Sequence, residues 1–570
     1  MPDNYYIADQ FSLLGKLMDI HGENSFKTRS YSSAAFTIEK LPDQLTDMEP
    51  EKFVSIKGIG DAIGKKISQI LETGELPLLR EYINQTPAGI LEMLQIKGLG
   101  PKKIATIWKE MGIESIGELL YACQENRLML YKGFGEKTQT NVRETIEFYL
   151  RAQGSHLYAD VEAFALLLDK TLKDFFPEEQ FAFTGEFRRQ LPVIDRLEWV
   201  TTTHHQKIKA FLTGQGYKYE ETAPAQKTAV AIHYFRSPEG VLINMYHPAP
   251  GHYYSALFHY SSSEEFRTTW HAVTGKNYLD PETKKYTSEE QIFEEAGLPI
   301  IPPFARELEG AITHAKRSPL PAPIQPEDIR AIIHSHSTWS DGSHSLEEMA
   351  RACMAKGYEY LVISDHSKSA FYANGLSEER IKQQHIEIDA LNKKLAPFHI
   401  FKSIECDILN DGNLDYTDNI LSTFDLVIAS VHSNLKMAEE KAMMRLLRAI
   451  ENPYTTILGH MTGRLLLSRP GYPVNHKTII DACAANQVAI ELNAHPRRLD
   501  MDWRFISYAL EKGVMISIDP DAHAVEGYAD TRYGVLAAQK ALLTPDRNLS
   551  SFTLQQFQGH LAQRKQLKGL

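Results

Sequence analysis

Nine residues in the C-terminal part of the sequence have the types and spacing of a metal centre. His334 and His336 stand in HSHSTWSDG with Asp341 close behind. His366 follows LVIS and Asp365, Glu405 lies in SIECDIL, and His432 follows VIASV, with Asp365 outside the nine. His460 sits in ILGHMTGR, and Asp521-Ala522-His523 follows MISIDP. Alternation along a strand sends residues i and i+2 to the same face, so His334 and His336 can address one ion. Neutral imidazole and carboxylate together suit zinc, manganese or iron. A single strand-end histidine such as His460 reads by itself as a hydrogen-bonded structural residue, and His-x-His alone is evenly balanced. Nine such residues at repeated strand-end positions read as a metal site. His204-His205, His252, His259 and His385 lack partners at comparable positions and read as surface or core residues.

The elements that must hold these residues are short apolar strands at Tyr360 to Ile363, Leu426 to Ala429, Ala489 to Leu492 and Val514 to Ile518, alternating with helical stretches. That alternation predicts a parallel α/β domain, with a barrel among its forms, whose C-terminal strand ends converge on one mouth. Upstream, SPLPAPIQPED (Ser318 to Asp328) has the composition of a semi-rigid linker, and the main domain boundary is expected there. Residues 160–250 mix helix with strand-like runs at Val230 to Phe235 and Val241 to Met245. Residues 1–150 read as successive helices, with apolar side chains at helical spacing over Ile7 to Met18 and Ser30 to Ile38. A length of 570 residues implies several domains, and 43% hydrophobic with 24% charged residues excludes disordered, collagen-like and coiled-coil chains. Four scattered cysteines argue against a disulfide framework or a zinc ribbon. No cationic-apolar leader or membrane-length apolar run is present in the sequence, so a cytoplasmic protein is expected.

Three segments, IKGIGDAIGKKI, IKGLGPKKIATI and YKGFGEKTQTNV, share a Lys-Gly-apolar-Gly core entering a helix. Gly58, Gly60, Gly98, Gly100, Gly133 and Gly135 permit a tight turn and remove side chains from its surface. Amides at the following helix start then face outward, where a phosphate can accept from them. Lys65, Lys66, Lys102 and Lys103 in the first turns add charge. Gln139 and Thr140 interrupt the apolar pattern of the third copy. The set resembles the helix-hairpin-helix motif, which grips the DNA backbone and reads no bases. A formal net charge of −12 then matters less, because contact runs through amides and a few lysines and predicts a shallow salt dependence.

The order His-x-His, Asp, Asp-His, Glu, Ser-Val-His-Ser, Gly-His-x-Thr-Gly-Arg, Asp-Ala-His is similar to that of the PHP (polymerase and histidinol phosphatase) domain. Nearly the whole chain resembles a bacterial family X DNA polymerase carrying that domain at its C-terminus. RSYSSAAFTIEKLP fits the N-terminal lyase-type domain, and GLPIIPPFARE fits the end of the thumb. The resemblance implies a multidomain α/β protein with helix-hairpin-helix domains, a mixed α/β palm and thumb, and a distorted (β/α)7-type barrel. Its parts would be a lyase-type domain at 1–88, fingers at 89–152, a palm at 153–250, a thumb-like domain at 251–317, a linker at 318–329 and the PHP domain at 330–570. It also implies three divalent metal ions (Mn, Zn or Fe, with Mn favoured for activity). His334, His336, Glu405 and Asp521 would hold one; Glu405, His432 and His460 a second; Asp341, His366 and His523 the third. The nucleophile would be a hydroxide generated by the cluster, with no further catalytic side chain. Arg464 and Arg498, in loops beside ligand motifs, are candidates to clamp a phosphate, with surface ion pairing the alternative. His495 stands where relatives carry Asn.

The palm departs from the family pattern. TGEFRRQLPVIDRLEWV keeps Arg188 and Arg189, but Glu186 replaces a triphosphate-contacting Ser and Gln190 a Gly. In the gapless register the two catalytic aspartates fall on Arg196 and Glu198, and the third on Asn244. Polymerisation needs three carboxylates around two Mg²⁺, so the polymerase core is expected to be degenerate and inactive. Lys16, Lys27 and Lys40 lie in the lyase region, and none falls on a family position for a Schiff-base lysine. The leading expectation is a Mn-dependent 3′-5′ exonuclease of DNA repair. It would be monomeric and act without sequence specificity on gapped or nicked DNA or 3′ ends, with 3′-phosphatase or abasic-site cleavage as adjacent possibilities. Alternatives are a small-molecule phosphatase of histidinol-phosphate type, a non-catalytic DNA-binding scaffold, and weak retained polymerase activity.

Overall fold

The computed structural model describes residues 2–41, 43–96, 98–151, 154–220, 230–275 and 284–570. Lys97 of the second hairpin, and Ala152 and Gln153 at the expected fingers–palm boundary, lie outside the described residues. The chain forms two compact units, Met1–Gln124 with Leu128–Tyr149, and Glu125–Arg127 with Leu150–Leu570.

The first unit is helical. Helices Asn4–Ile20 and Ser25–Glu39 bury Phe11, Leu14, Met18, Ala34 and Ile38 from their apolar stripes. Gly58, Gly98 and Gly133 have φ of +93°, +94° and +94°, a region in which a Cβ is strained. Helices Asp61–Thr73, Pro101–Lys109 and Glu136–Arg151 follow them. Gly60 and Gly100 cap the first two helices without a side-chain hydrogen bond, so no capping side chain occupies the amides of the first turn. The third helix runs unbroken through Gln139 and Thr140, contrary to the sequence pattern. Gln139 is buried and its Oε1 accepts from Met129 N (3.0 Å), while Thr140 Oγ1 bonds back to Glu136 O (3.0 Å).

The second unit begins with a mixed sheet of β1 (Phe181–Thr184), β2 (Leu197–Thr201), β3 (Lys218–Glu220), β4 (Ala231–Arg236) and β5 (Leu242–His247), in spatial order β1-β2-β5-β4-β3. Helices Tyr158–Phe175 and His205–Gly214 cover one face around Trp199, Ile208, Leu212 and Met245. An aromatic core of Phe258, Phe266, Trp270 and Phe293 then gathers a small helical subdomain. Seven parallel strands follow: β6 (Ala331–Ile332), β7 (Tyr360–Ile363), β8 (His399–Asp407), β9 (Leu426–Ser430), β10 (Thr455–Leu458), β11 (Ala489–Asn493) and β12 (Ile516–Asp519). Each pairs with its neighbours in chain order. A parallel bridge between Ser335 and Ala522 joins the ends of the first and last strands, with His336 N donating to Ala522 O at 2.9 Å. The expected parallel domain is therefore a nearly closed seven-stranded barrel.

Two expectations change. The Pro-rich segment does not mark the main boundary, because it is packed down. Ile324 is fully buried, its N–H donates to Leu543 O (2.7 Å) and its carbonyl accepts from Gln539 (2.8 Å). Extended prolines leave such groups free to dock, and the chain instead parts into its units near Tyr149 and Leu150. Nor are His204 and His205 isolated. His205 stacks on His233 at 4.6 Å, and His233 meets His247 edge-on at 5.0 Å, because β4, β5 and the start of one helix converge there. His385 is half-buried, edge-on to Phe424 at 5.0 Å. Among the described residues no helix is long and apolar enough to cross a membrane.

Candidate metal centre

Each candidate ligand sits at or just past a barrel strand. His334 and His336 follow β6, with Asp341 in the succeeding turn, and His366 follows β7. Glu405 lies two residues before the end of β8, His432 and His460 follow β9 and β10, and Asp521 and His523 follow β12. Strand residues here are mostly apolar on both faces because helices cover the barrel, and the candidate ligands gather towards the C-terminal strand ends. His334 and Asp521 hold positive φ (+57° and +54°) at the bridge that closes the barrel, strained positions of the kind concentrated at functional sites.

The nine side chains meet, and eight of them are buried, with His432 half-buried. Three groups each bring their ligand atoms within 4.8 Å of one another: His336, Asp341, His366 and His523; His334, His336, Glu405 and Asp521; and His366, Glu405 and His432. His460 Nε2 lies 2.9 Å from Glu405 Oε1, beside His432 Nε2 at 3.0 Å from the same oxygen. Glu405 is thus the common element, with His366 Nδ1 at 3.0 Å from its other oxygen. His336 Nε2 is 3.0 Å from Asp521 Oδ1. The grouping differs in detail from the family-derived one, since His336 and His366 each serve two groups.

The donors fit divalent cations. His334 Nε2, His336 Nδ1, Asp341 Oδ2, Glu405 Oε2 and His523 Nε2 are buried atoms without a hydrogen-bond partner, an arrangement costly in a dry interior unless a cation satisfies it. Charge is held ready. Burial disfavours ionised Glu405, but His432, His334 and His366 hold its carboxyl well below the usual range. Asp521 is likewise held well below, with burial outweighed by His334 and by the His336 hydrogen bond. Burial works against protonated His523, yet Asp341 lifts it to about 10.

Several residues that hold the candidate ligands were not singled out from sequence. Glu491, fully buried, accepts from His334 Nδ1 (2.5 Å) through Oε2, and from His460 N (3.1 Å) and Asn493 Nδ2 (2.9 Å) through Oε1. Asn493 Nδ2 also donates to Asp521 Oδ2 (3.1 Å). Asp407 accepts from His432 Nδ1. Carboxylates behind ligating imidazoles fix which nitrogen faces the metal. The available signal was Asp407 two residues after Glu405, on the same face of β8. Asp365 turns away from the ligands and binds the 337–341 turn, accepting from Ser337 N (2.8 Å) and Ser340 Oγ (2.5 Å). Arg464 is committed to Asp502 (2.6 Å) and to Arg498 O (3.0 Å), so it braces a loop instead of facing a phosphate. Arg498 Nε lies 3.8 Å from Asp521 Oδ2, at the ligand cluster.

The hairpin lysines are solvent-accessible: Lys65 and Lys102 are exposed, Lys66 and Lys103 half-buried. In the palm, Glu198 pairs across β2 and β5 with Asn244, and both are buried. Tyr246 OH donates to Glu198 Oε1 (2.6 Å), and the other carboxylate oxygen lies against Gly185, where a Cβ would stand 1.5 Å from it. Glu186 Oε2 accepts from Asp195 N (2.8 Å). Burial raises both Glu186 and Glu198 above the usual carboxylate range. Arg196 is exposed. Arg188 pairs with Glu289 (2.7 Å) and Arg189 with Glu307 (2.5 Å). All groups of three or more metal-competent side chains among the described residues lie in the barrel.

Two family descriptions match the chain: a helix-hairpin-helix domain over residues 2–76, and a SAM-like helix-hairpin-helix tandem over residues 90–147. Over 570 aligned residues, 95% of this chain and 96% of the relative, it is 31% identical to the DNA polymerase/3′-5′ exonuclease PolX of Bacillus subtilis (strain 168). Its C-terminal part is similar to probable phosphatases. One from Thermoanaerobacter pseudethanolicus is 28% identical over 201 residues, 33% of this chain and 77% of the relative. YcdX of Escherichia coli O81 (strain ED1a) is 26% identical over 208 residues, 34% of this chain and 77% of the relative.

Proposed function

The chain belongs to the bacterial PolX family of DNA polymerase/3′-5′ exonucleases, and from that premise we propose that it is a DNA-directed, metal-dependent phosphodiesterase. It removes nucleotides from 3′ ends at gaps and nicks, with three divalent ions in the barrel mouth and manganese the activating metal. The observation that carries this reading is the buried convergence of His334, His336, Asp341, His366, Glu405, His432, His460, Asp521 and His523 with their unpartnered ligand atoms. Ions held there would supply positive charge to the phosphate oxygens and make water a competent nucleophile at neutral pH. Glu405, placed among the imidazoles of His366, His432 and His460, would serve as a ligand common to neighbouring ions. Glu491 and Asp407 hold His334 and His432 with Nε2 turned inward, and Arg498 offers its guanidinium to the phosphate. The three hairpins hold the DNA backbone without reading sequence, and the protein works as a cytoplasmic, nucleoid-associated monomer.

The polymerase core is a scaffold in this reading. Its support is the palm chemistry: Glu198 is engaged by Tyr246, Asn244 stands where a third carboxylate is needed, and both palm arginines are neutralised by glutamates. One panel tests the whole assignment. Metal-free protein is reloaded with Mn²⁺, Zn²⁺ or Mg²⁺ and given labelled gapped DNA with and without dNTPs. Shortened products that disappear in His334→Ala and Glu405→Ala are expected, and extended products would instead restore the polymerase. The similarity to probable phosphatases favours one second reading, hydrolysis of small phosphomonoesters. Intact DNA with rapid p-nitrophenyl phosphate turnover would select it.

A further inference from the structure

Phe371 is 84% exposed, on the loop that follows ligand His366. Single apolar side chains on a surface are common, so exposure alone says nothing. The loop beneath it is distinctive. Ser367 N donates to Glu405 O (3.0 Å) and Leu376 N to His366 O (2.9 Å), closing the loop at its base against two ligand residues. Lys368 N donates to Tyr416 OH (3.0 Å), and Ser369 gives both its N–H (2.6 Å) and its hydroxyl (2.5 Å) to Asp415. Gly375 N donates to Ala370 O (3.1 Å), and a Cβ on Gly375 would stand 1.9 Å from Ser367 O. The tip is a single 3-10 turn, Phe371–Ala373, with Ala373 buried under it. A pinned loop therefore presents a solvated phenyl ring in one place, where a disordered tip would not.

That place is beside the metal centre. The Tyr372 ring lies edge-on to Phe371 at 6.0 Å and 6.5 Å from the His366 imidazole. One aromatic ring thus stands between Phe371 and a ligand, within reach of a nucleotide whose phosphate lies at the ligand groups. Lys368, 45% exposed in its side chain and 3.7 Å from Glu378, adds a cation on the same loop. A strand end held at its phosphate needs its base placed without regard to identity, and an exposed ring does this because every base has a π-face.

We propose that Phe371 is a stacking platform for an unpaired nucleobase at the DNA end entering the barrel mouth. This deepens, and rests on, the phosphodiesterase reading. The platform serves an unpaired base, since a paired base is already stacked within its own duplex. Phe371 contacts substrate by its ring face, so its identity as an aromatic is what counts.

The test uses the full chain and short single-stranded oligonucleotides whose three terminal nucleotides at the 3′ end are normal or abasic. Binding is measured in Ca²⁺, and cleavage in Mn²⁺. Phe371→Ala is expected to weaken binding and raise KM for the normal end by roughly five- to a hundredfold. On the abasic end wild type and Phe371→Ala should match, and Phe371→Trp should restore the preference for bases. An unchanged thermal midpoint of Phe371→Ala checks the fold. Equal losses on both ends, or no loss on either, overturn the proposal. If wild type prefers the normal end in binding but cleaves neither, stacking stands and the phosphodiesterase reading falls.

Discussion

At the level of single residues, the candidate centre was readable because its chemistry uses rare types in unusual places. Histidines and carboxylates that stop apolar strands have few structural reasons to recur, so the nine candidates stood out without a fold. Glu491 did not, because one acidic residue within AIELN has no spacing that distinguishes it from a surface glutamate. Only the fold turns it inward, against His334, His460 and Asn493. Its two oxygens accept from three donors, which a carboxylate can do and a carboxamide cannot without facing a donor with a donor. Glu491→Gln should therefore lower affinity for the ion held by the His334 group by roughly ten- to a hundredfold. Chelator competition on folded protein measures this, with far-UV circular dichroism as the control for folding. Unchanged affinity would leave Glu491 a packing residue. Arg464 carries the opposite lesson: its position beside His460 in the sequence suggested a phosphate clamp, but Asp502 claims it.

Among the elements, the hairpins were legible from Lys-Gly-apolar-Gly because the turn needs a residue at positive φ and then an open helix start. The third was harder to read, since helix periodicity is broken by Gln139, whose amide is used inside the unit at Met129. If the hairpins hold phosphate, charge and turn should separate in experiment. Lys102→Glu with Lys103→Glu should weaken DNA binding and flatten the log–log salt dependence by about 0.9 for each phosphate that is no longer neutralised. Gly98→Ala should cost about 1–2 kcal/mol of local stability, because φ at +94° crowds a Cβ. Fluorescence anisotropy across a salt series checks the first, and thermal melting the second. Salt slopes identical to wild type would remove the lysines from the interface. Strand positions were legible from short β-rich runs, while the meeting of His205, His233 and His247 was not. It depends on which strands lie side by side.

For the second unit as a whole, the palm, the aromatic subdomain and the barrel are joined through buried charge. Lys540, from a barrel helix region, donates to Arg189 O (2.7 Å) and Phe304 O (3.4 Å) and lies 3.9 Å from Glu307. Burial pushes its ammonium down to about 7. A lysine in the unfolded chain titrates near ~10.4. Between about pH 7 and 10 the unfolded chain therefore binds the extra proton, and stability rises with pH there. Lys540→Met removes that slope, so the melting difference between wild type and variant should move in favour of wild type from pH 7 to 9.5. A difference independent of pH would place Lys540 in water. This joint was not legible in sequence, where the composition of Ser318 to Asp328 reads as a linker.

The bridge between Ser335 and Ala522 has a consequence for biosynthesis. His336 and Asp521 are 185 residues apart, and they meet only when the last strand docks beside the first. Pairings of such long range form late, after the hairpins and palm have left the ribosome and folded. On the proposed function, a nascent chain would engage DNA before it could cut it. The candidate centre would be complete only with the final strand, which acts as the key that arms it.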